Sequence, residues 1–491
     1  MGETINFGKG QNIAVMHLNK INRHGVIAGA TGTGKTITLK VLAEKLSSAG
    51  VPVFLSDIKG DLMSLAEANT TEGLEERLKA TDYSEYSPQA FPIEIWDVLS
   101  QEGIPLRMTV SQMGPILLSQ ILGLNDVQTS LLNATFDVAD KKGLLLIDLM
   151  DLRAMLNYVS ENSKELSEYY GNIAKNSIGA ILRSLVVLEQ QGGSQFFGEP
   201  AVDILDFMKI DEEGLGVINI LNAKQLYQLP TLYAMVLFAL LSEIYETLPE
   251  EGDLDKPKMV FFFDEAHTLF KDTPKVLIDK IELVARLIRS KGVGVFFVTQ
   301  NPTDIPDNIA NQLGHRIQHG MRAYTPKEIK TIKIIAETFP QDDLSDVAEI
   351  LQHLEVGQAL VSNLDETGVP TKADKVLIYP PQSKIGTIDP SILMKIINQS
   401  PNQEKYGEMI NRESAHEQIL VATKEAETQL IEMSKKEESS NEAMVERENK
   451  QKTTSRRTDT NFDRFTKNMM SQVGRELGRI LTRSITGMLK K

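Results

Sequence analysis

Two stretches of the sequence carry residue types suited to binding and splitting a nucleoside triphosphate. The first is GATGTGKT at residues 29–36, which fits the pattern G-x-x-x-x-G-K-[ST]. Its glycines let successive backbone N–H groups point at a phosphate. We expect Lys35 to reach the β- and γ-phosphates and the Thr36 hydroxyl to bind Mg²⁺. The predicted nucleotide-binding residues are Gly29, Ala30, Thr31, Gly32, Thr33, Gly34, Lys35 and Thr36.

The second stretch is VFFFDEAH, in which four apolar residues precede Asp264 and Glu265. A buried strand would carry both carboxylates to the edge of a sheet where ligands bind. We expect Asp264 to hold Mg²⁺ through water and Glu265 to activate the attacking water. A later strand, FFVTQNP, ends in Thr299 and Gln300, and Gln300 is the predicted γ-phosphate sensor.

Positive charge must also meet the transition state of phosphoryl transfer. Arg316 and Arg322 follow the sensor strand and are the candidates for reaching a neighbouring subunit's site. Arg286 and Arg289 are further candidates, and the sequence does not choose among the four.

Alternating strand and helix patterns surround these motifs. HGVIAGA (24–30) predicts a strand, TITLKVLAEKLSSAG a helix that ends at Gly50, and VPVFLSD a second strand. Such an order is typical of a parallel sheet with crossover helices. The sequence therefore predicts an α/β fold with a mostly parallel sheet.

The hydrophobic pattern and the charge of the sequence change twice along the chain. Between residues 106 and 213, apolar residues recur at three- and four-residue spacing and strand patterns are scarce. Beyond residue 400 the chain is charged and then basic. The predicted segments are 1–105 (first part of the core), 106–213 (helical insertion), 214–400 (second part of the core), 401–455 (charged linker or helix) and 456–491 (basic amphipathic tail).

Composition narrows the class of protein. The 491 residues include no cysteine, which excludes disulfides and thiolate metal sites. The longest apolar run, LYAMVLFALL (232–241), is too short to span a bilayer, which takes about 20 residues, so we expect a buried helix, no transmembrane segment and a cytoplasmic protein. The net charge of −15 argues against a surface that grips nucleic acid broadly, though a local basic channel is compatible with it.

Taken together, the motifs resemble the HerA/FtsK superfamily of ring-forming P-loop ATPases, and more narrowly its bacterial HerA-like members. The resemblance is carried by NRHGVIAGATGTGKT, VPVFLSDIKGDL, VFFFDEAH, RLIRSKGVGVFFVTQNPTDIPD and LGHRIQHGMRAYTPKE. It implies a RecA-like ATPase core, ATP and Mg²⁺ as ligands, hexamers with an arginine donated between subunits, and translocation on double-stranded DNA. HerA proper carries a β-barrel before its phosphate loop, and 28 residues before Gly29 are too few for one, so helicase activity is not assumed.

The sequence leaves three alternatives open. DIKG (57–60) and TKAD (371–374) imitate GTPase motifs. The acidic charge is also compatible with a motor that remodels or secretes proteins. A module that binds nucleotide without hydrolysing it is the third alternative.

Two other features have simpler interpretations. The basic tail could bind a partner protein, phosphates or an anionic membrane surface, or be a flexible end; Gly474 and Gly478 would let helices approach closely. His315 and His319 stand four residues apart, as metal ligands can, but without a third ligand we expect an ordinary pair.

Overall fold

The computed structural model describes residues 3–449 except 253, 271–274 and 341–343. The predicted basic tail, 456–491, lies outside the described residues. The strands are β1 (Thr4–Lys9), β2 (Ile13–His17), β3 (Gly25–Ala28), β4 (Val53–Asp57), β5 (Ile93–Asp97), β6 (Ile104–Pro105), β7 (Ile218–Asn222), β8 (Met259–Phe263), β9 (Val293–Thr299), β10 (His315–His319), β11 (Gln358–Ser362) and β12 (Asp374–Ile378).

Helices connect most of these strands. They are α1 (Lys35–Ser48), α2 (Glu75–Thr81), α3 (Val110–Ile121), α4 (Asp126–Lys141), α5 (Leu149–Glu161), α6 (Ser163–Tyr170), α7 (Lys175–Gln190), α8 (Gly193–Phe196), α9 (Pro230–Thr247), α10 (His267–Phe270), α11 (Lys275–Ile288), α12 (Asp307–Ala310), α13 (Pro326–Ala336), α14 (Leu344–His353), α15 (Pro390–Gln399), α16 (Pro401–Tyr406) and α17 (Ala415–Asn449).

All named strands belong to one sheet in the order β2-β1-β12-β11-β10-β3-β9-β8-β4-β7-β5-β6. From β10 to β6 every pairing is parallel, whereas β11, β12, β1 and β2 extend the sheet with antiparallel pairings. The predicted mostly parallel α/β sheet is confirmed. The antiparallel hairpin formed by β1 and β2 was not predicted.

The central strands are buried on both faces, which is why they read as continuous apolar runs. Every residue of β8 and of β9 is buried. The apolar run at 232–241 lies in α9, whose eleven buried residues confirm the expected core helix. Within the part of the chain that the structure describes, no helix has both the length and the apolar character needed to cross a bilayer.

The chain divides into two compact units. The first comprises Met1–Arg107 and Pro200–Met409 and holds the whole sheet. The second comprises Met108–Glu199 and the described residues from Ile410 onward. In it α5 packs against α7 and α17. Helices α3 to α8 fall within the predicted insertion at 106–213, but the five-segment division of the chain stays a prediction.

Candidate nucleotide site

The predicted phosphate loop connects the end of β3 to the start of α1. Gly29, Gly32 and Gly34 adopt φ values of +150°, +77° and +114°, which L side chains rarely adopt. A Cβ on Gly29 would lie 2.5 Å from the Cβ of His319, whereas one on Gly32 would meet no atom within 4 Å. The loop is therefore packed against β10 at its beginning and open at its middle.

Backbone hydrogen bonds fix the loop to its neighbours. The N–H of Ala30 donates to the carbonyl of Gly320 at 3.1 Å, just beyond β10. The N–H of Gly357, just before β11, donates to the carbonyl of Thr33 at 2.9 Å. Within the loop, the Thr33 hydroxyl donates to the Ala30 carbonyl at 2.7 Å. These hydrogen bonds, to the residues that flank β10 and β11 and within the loop, fix the conformation of the phosphate loop.

Lys35 lies at the first position of α1 and is 7% exposed. Its ammonium donates to the carbonyl oxygens of Gly29 at 2.7 Å and Ala30 at 3.2 Å. Burial lowers its pKa, and the nearby carboxylate of Glu265 partly opposes that effect. Thr36 follows in the first helical turn, where backbone N–H groups have no intrahelical acceptor and Gly34 supplies no side-chain cap. The free N–H groups and the positive end of the helix dipole make the start of α1 a favourable binding site for an anion.

The acidic pair emerges at the same edge of the sheet. Strand β9 pairs in parallel with β3 on one side and β8 on the other. The strands that lead to Gly29 and Asp264 are therefore two strand spacings apart, about 10 Å. The two motifs, more than two hundred residues apart in sequence, face one site.

Asp264 is 5% exposed. Burial, above all, raises its pKa to about 7; the charge of Glu265 adds to this and that of Lys59 opposes it. Its Oδ1 accepts a hydrogen bond from the N–H of Glu265 at 2.9 Å, and its own N–H donates to Ser56 Oγ at 3.0 Å. A bound cation would stabilise the ionised form of this buried carboxylate. With Thr36 it supplies few ligands, which fits Mg²⁺, an ion that keeps waters and binds phosphate oxygens.

Glu265, the predicted base, has a φ of +46°, an uncommon value for a residue with a side chain. Its carboxylate accepts hydrogen bonds from Lys59 Nζ at 3.0 Å and from Gln300 Nε2 at 3.3 Å. Nδ1 of His267 lies 3.4 Å away, without hydrogen-bond geometry. Burial acts to raise the pKa of Glu265, but Lys59, Gln300 and His267 outweigh it and the pKa is lowered.

The structure thus places Gln300, the predicted sensor, against the predicted base. Thr299 is buried, and its carbonyl oxygen accepts a hydrogen bond from Gly29 N–H at 3.3 Å. The residue at the end of β9 supports the phosphate loop through its backbone, and the next residue presents its side chain to the acidic pair.

Sequence reasoning missed Lys59, although the DIKG motif contains it. The two carboxylate oxygens of Asp57 accept backbone N–H groups from Gly60 at 2.6 Å, Leu62 at 3.0 Å and Met63 at 3.3 Å. Burial raises the pKa of Asp57 to about 6. The D-x-x-G pattern here builds a tight turn that presents Lys59.

The second GTPase-like motif lies elsewhere. Asp374 begins β12 and accepts a hydrogen bond from Gln11 N–H at 2.9 Å. The opposite end of that strand, Ile378, is the one that contacts Gly357 beside the phosphate loop. Of the two motifs behind the GTPase alternative, DIKG therefore forms a turn and TKAD leads into a paired strand.

Arg316 and Arg322, two of the four candidate arginines, occupy different positions. Arg316 lies in β10 level with Val26, two residues short of the end of β3, and its Nη2 lies 3.4 Å from the Ala310 carbonyl. Burial lowers its pKa. Arg322 is exposed, in the segment between β10 and α13. The structure does not bring Arg316 to the phosphate loop of its own subunit.

His315 and His319 each have separate partners. His319 Nε2 lies 2.8 Å from Thr38 Oγ1 and its Nδ1 2.9 Å from the Gln358 carbonyl. His315 Nε2 lies 3.0 Å from the Lys20 carbonyl. Among the residues that the structure describes, no cluster of three His, Cys, Asp or Glu side chains could hold a metal. His319 supports the loop and α1, a role the sequence did not indicate.

Comparison with known proteins places this chain in a family. The helicase HerA-like C-terminal family matches residues 4–491. The chain belongs to this family. The DNA double-strand break repair helicase HerA of Sulfolobus acidocaldarius is 24% identical over 406 residues, which cover 78% of this chain and 70% of that protein. HerA of Sulfurisphaera tokodaii is 23% identical over 427 residues, covering 83% and 76%.

A solved structure shares the fold of this HerA-like chain. The plasmid coupling protein TrwB, in complex with a non-hydrolysable ATP analogue, matches with a TM-score of 0.51 and 15% identity, over 75% of this chain and 87% of that one. The predicted RecA-like P-loop fold is confirmed. Together with the family match, this fold makes the HerA-like chain a P-loop NTPase.

Proposed function

We propose that this HerA-like chain hydrolyses ATP with Mg²⁺, assembles into a ring and moves double-stranded DNA. One observation carries the hydrolytic part of the proposal. The phosphate loop with Lys35 and the acidic pair Asp264–Glu265 meet at one sheet edge, separated only by β9. A nucleotide on the loop would present its terminal phosphate to both carboxylates.

Each side chain then has a distinct role. Lys35 would exchange the carbonyls of Gly29 and Ala30 for phosphate oxygens. Thr36 and Asp264 would hold Mg²⁺, which neutralises charge on the phosphates when it is bound. Glu265 would accept a proton from the attacking water, with Gln300 orienting both.

The ring proposal rests on the family and on the position of the arginines. Charge developing on the transferred phosphoryl group is commonly met by an arginine. Arg316 is partly buried at mid-sheet, whereas Arg322 is exposed beyond the end of β10. We therefore favour Arg322 as the arginine donated to a neighbouring subunit, in a hexamer built by repeating one heterologous contact.

The DNA part of the proposal is supported by the relatives, which are named as DNA double-strand break repair helicases. The experiment measures ATP turnover by the purified chain with Mg²⁺ or with chelator, and with or without linear double-stranded DNA. We expect turnover only with Mg²⁺, and a higher rate with DNA. Turnover that DNA does not change would favour a motor for proteins, and absent turnover would favour a nucleotide-binding module.

A further inference from the structure

Lys59 and Glu265 form an ion pair at the mouth of the candidate site. Lys59 Nζ lies 3.0 Å from Glu265 Oε1, and the lysine side chain is 44% exposed while that of the glutamate is 7% exposed. The buried, acidic partner lies in the turn just after β8, where its N–H donates to Asp264 Oδ1, and the half-exposed lysine is the partner with room to move. A lysine is a point charge on a flexible stem, so it can change partners without backbone movement.

The backbone that carries Lys59 is fixed. Asp57 anchors the turn through three backbone N–H groups. Gly60 has a φ of +79°, and a Cβ there would lie 2.5 Å from the Lys224 side chain. Lys224 therefore packs directly on the turn that carries Lys59. The turn positions Lys59 beside β8 and leaves its side chain as the adjustable part.

The charges around Lys59 make it sensitive to the nucleotide. Asp264, Glu265 and Asp61 all act on its ammonium. The same two adjacent carboxylates act on Lys35, so both lysines and the acidic pair share one electrostatic environment. A phosphate group adds up to about two negative charges at neutral pH. A γ-phosphate beside this cluster would compete with Glu265 for the mobile cation.

We propose that Lys59 has two alternative partners, Glu265 and the γ-phosphate of bound ATP. While Lys59 holds Glu265, its positive charge stabilises the ionised carboxylate, which is then a poorer proton acceptor. When Lys59 contacts the γ-phosphate, Glu265 is released to act on water. The base thereby becomes available only when a hydrolysable phosphate is present. This inference rests on the proposed ATPase function.

Binding measurements test the exchange without relying on turnover. Lys59→Met keeps the length of the side chain and removes its charge; Lys59→Arg restores a cation. The affinities for a non-hydrolysable ATP analogue and for ADP, each with Mg²⁺, are measured by calorimetry. We expect Lys59→Met to weaken binding of the analogue about tenfold or more, the scale of one lost charge-assisted hydrogen bond, and to leave ADP binding unchanged. Lys59→Arg should retain most of the affinity for the analogue.

Lys224→Met is the matched control. Lys224 packs on the same turn and pairs with Glu102 at 3.3 Å. This variant should bind both nucleotides as the wild type does. Equal losses for the two nucleotides in Lys59→Met, or no loss for either, would overturn the inference. If the wild type binds neither nucleotide, the proposed function itself fails, and the inference with it.

A second measurement guards against a merely structural effect. Thermal denaturation without nucleotide checks that Lys59→Met and Lys59→Arg are folded; we expect a lower melting temperature for Lys59→Met, because the buried Glu265 loses its cation, and a clear cooperative transition for both. If the variant does not fold, Lys59→Gln takes its place in the same comparison. A drop in ATP-analogue affinity that Lys59→Arg cannot restore would also contradict the exchange, because it would point to packing and not to charge.

Discussion

The ammonium of Lys35 donates a 2.7 Å hydrogen bond to the carbonyl oxygen of Gly29, so the lysine that ends the phosphate loop also closes it. A triphosphate offers this ammonium a charged acceptor in place of a neutral one. We expect Lys35→Ala to abolish turnover and to weaken ATP binding at least about tenfold. Equilibrium titration with a fluorescent ATP analogue checks this. Lys45→Ala, on the same helix but bonded to Tyr83 Oη, is the control and should bind normally.

A substitution of Glu265 allows ATP binding and ATP hydrolysis to be measured separately. Glu265→Gln preserves the shape of the side chain but cannot accept a proton, so turnover should fall about 10²–10⁴-fold while ATP still binds. Single-turnover hydrolysis beside binding isotherms makes the measurement. Glu102→Gln removes a carboxylate that pairs with Lys224 instead, and should hydrolyse ATP normally. Wild-type turnover in Glu265→Gln would remove this residue from the mechanism.

The raised pKa of Asp264 predicts that the stability of the folded protein depends on pH. Its pKa rises from 3.8 to about 7 in the folded protein, so the folded state binds the proton more tightly than the unfolded state does. Stability without nucleotide therefore falls as pH rises across that interval, and the loss is complete above about pH 7. The full shift corresponds to roughly 4 kcal/mol, and we expect Asp264→Asn to regain about 1–3 kcal/mol at pH 8.

Thermal denaturation at pH 5 and pH 8 checks this, and the wild type at the two pH values is its own reference. The advantage of Asp264→Asn should shrink towards pH 5. Adding Mg²⁺ with an ATP analogue should reverse the order, because only the wild type then gains a carboxylate ligand for the metal. An Asp264→Asn protein that is less stable at pH 8 than at pH 5, relative to wild type, would contradict the argument.

Two glycines of the phosphate loop should respond differently to the same substitution. At Gly32 a methyl group meets open space, so Gly32→Ala costs only the left-handed backbone, about 1–2 kcal/mol. At Gly29 the methyl would lie 2.5 Å from the Cβ of His319, which adds about 1–3 kcal/mol of overpacking. Melting temperatures of the two variants make the comparison. Equal losses would mean that the loop is not held against β10.

Mixing of variants tests the arginine donated between subunits. Arg322→Ala and Lys35→Ala should each be inactive alone, for different reasons. In mixed rings, an Arg322→Ala subunit keeps its own phosphate loop and can receive Arg322 from a Lys35→Ala neighbour, so ATPase activity should reappear. Mixed rings, verified by two affinity tags, that stay inactive would exclude Arg322 from that role.

The sequence located the parts of this site that depend on local patterns. The strand before Gly29, the helix from Lys35 and the apolar run before Asp264 are each visible within a few residues. The contact between Lys59 and Glu265 depends on β4 lying beside β8, which is a pairing between segments two hundred residues apart. No window of sequence contains that information, so the DIKG motif supports the family resemblance and imitates a GTPase pattern, but does not by itself place Lys59 in the site.

The hairpin at the start of the chain was missed for a different reason. Its strands are short, and in β1 only the alternation around Ile5 and Phe7 hints at a buried face. A further shift in register between Asn6 and Gly8 interrupts the pattern. The role of His319 was hidden too, because a histidine in a strand gives no sign of what packs against it.

Pairing of β1 with β12 has a practical consequence for handling the protein. Phe7 is fully buried, and Gly8 lies so close to Val376 that a side chain there would collide. Shortening the protein to begin at the glycine turn would remove one of the two neighbours of β12 and leave a row of its backbone donors and acceptors uncovered. Such edges join other chains, so the shortened version should precipitate or swap strands during expression although every residue of the nucleotide site is intact.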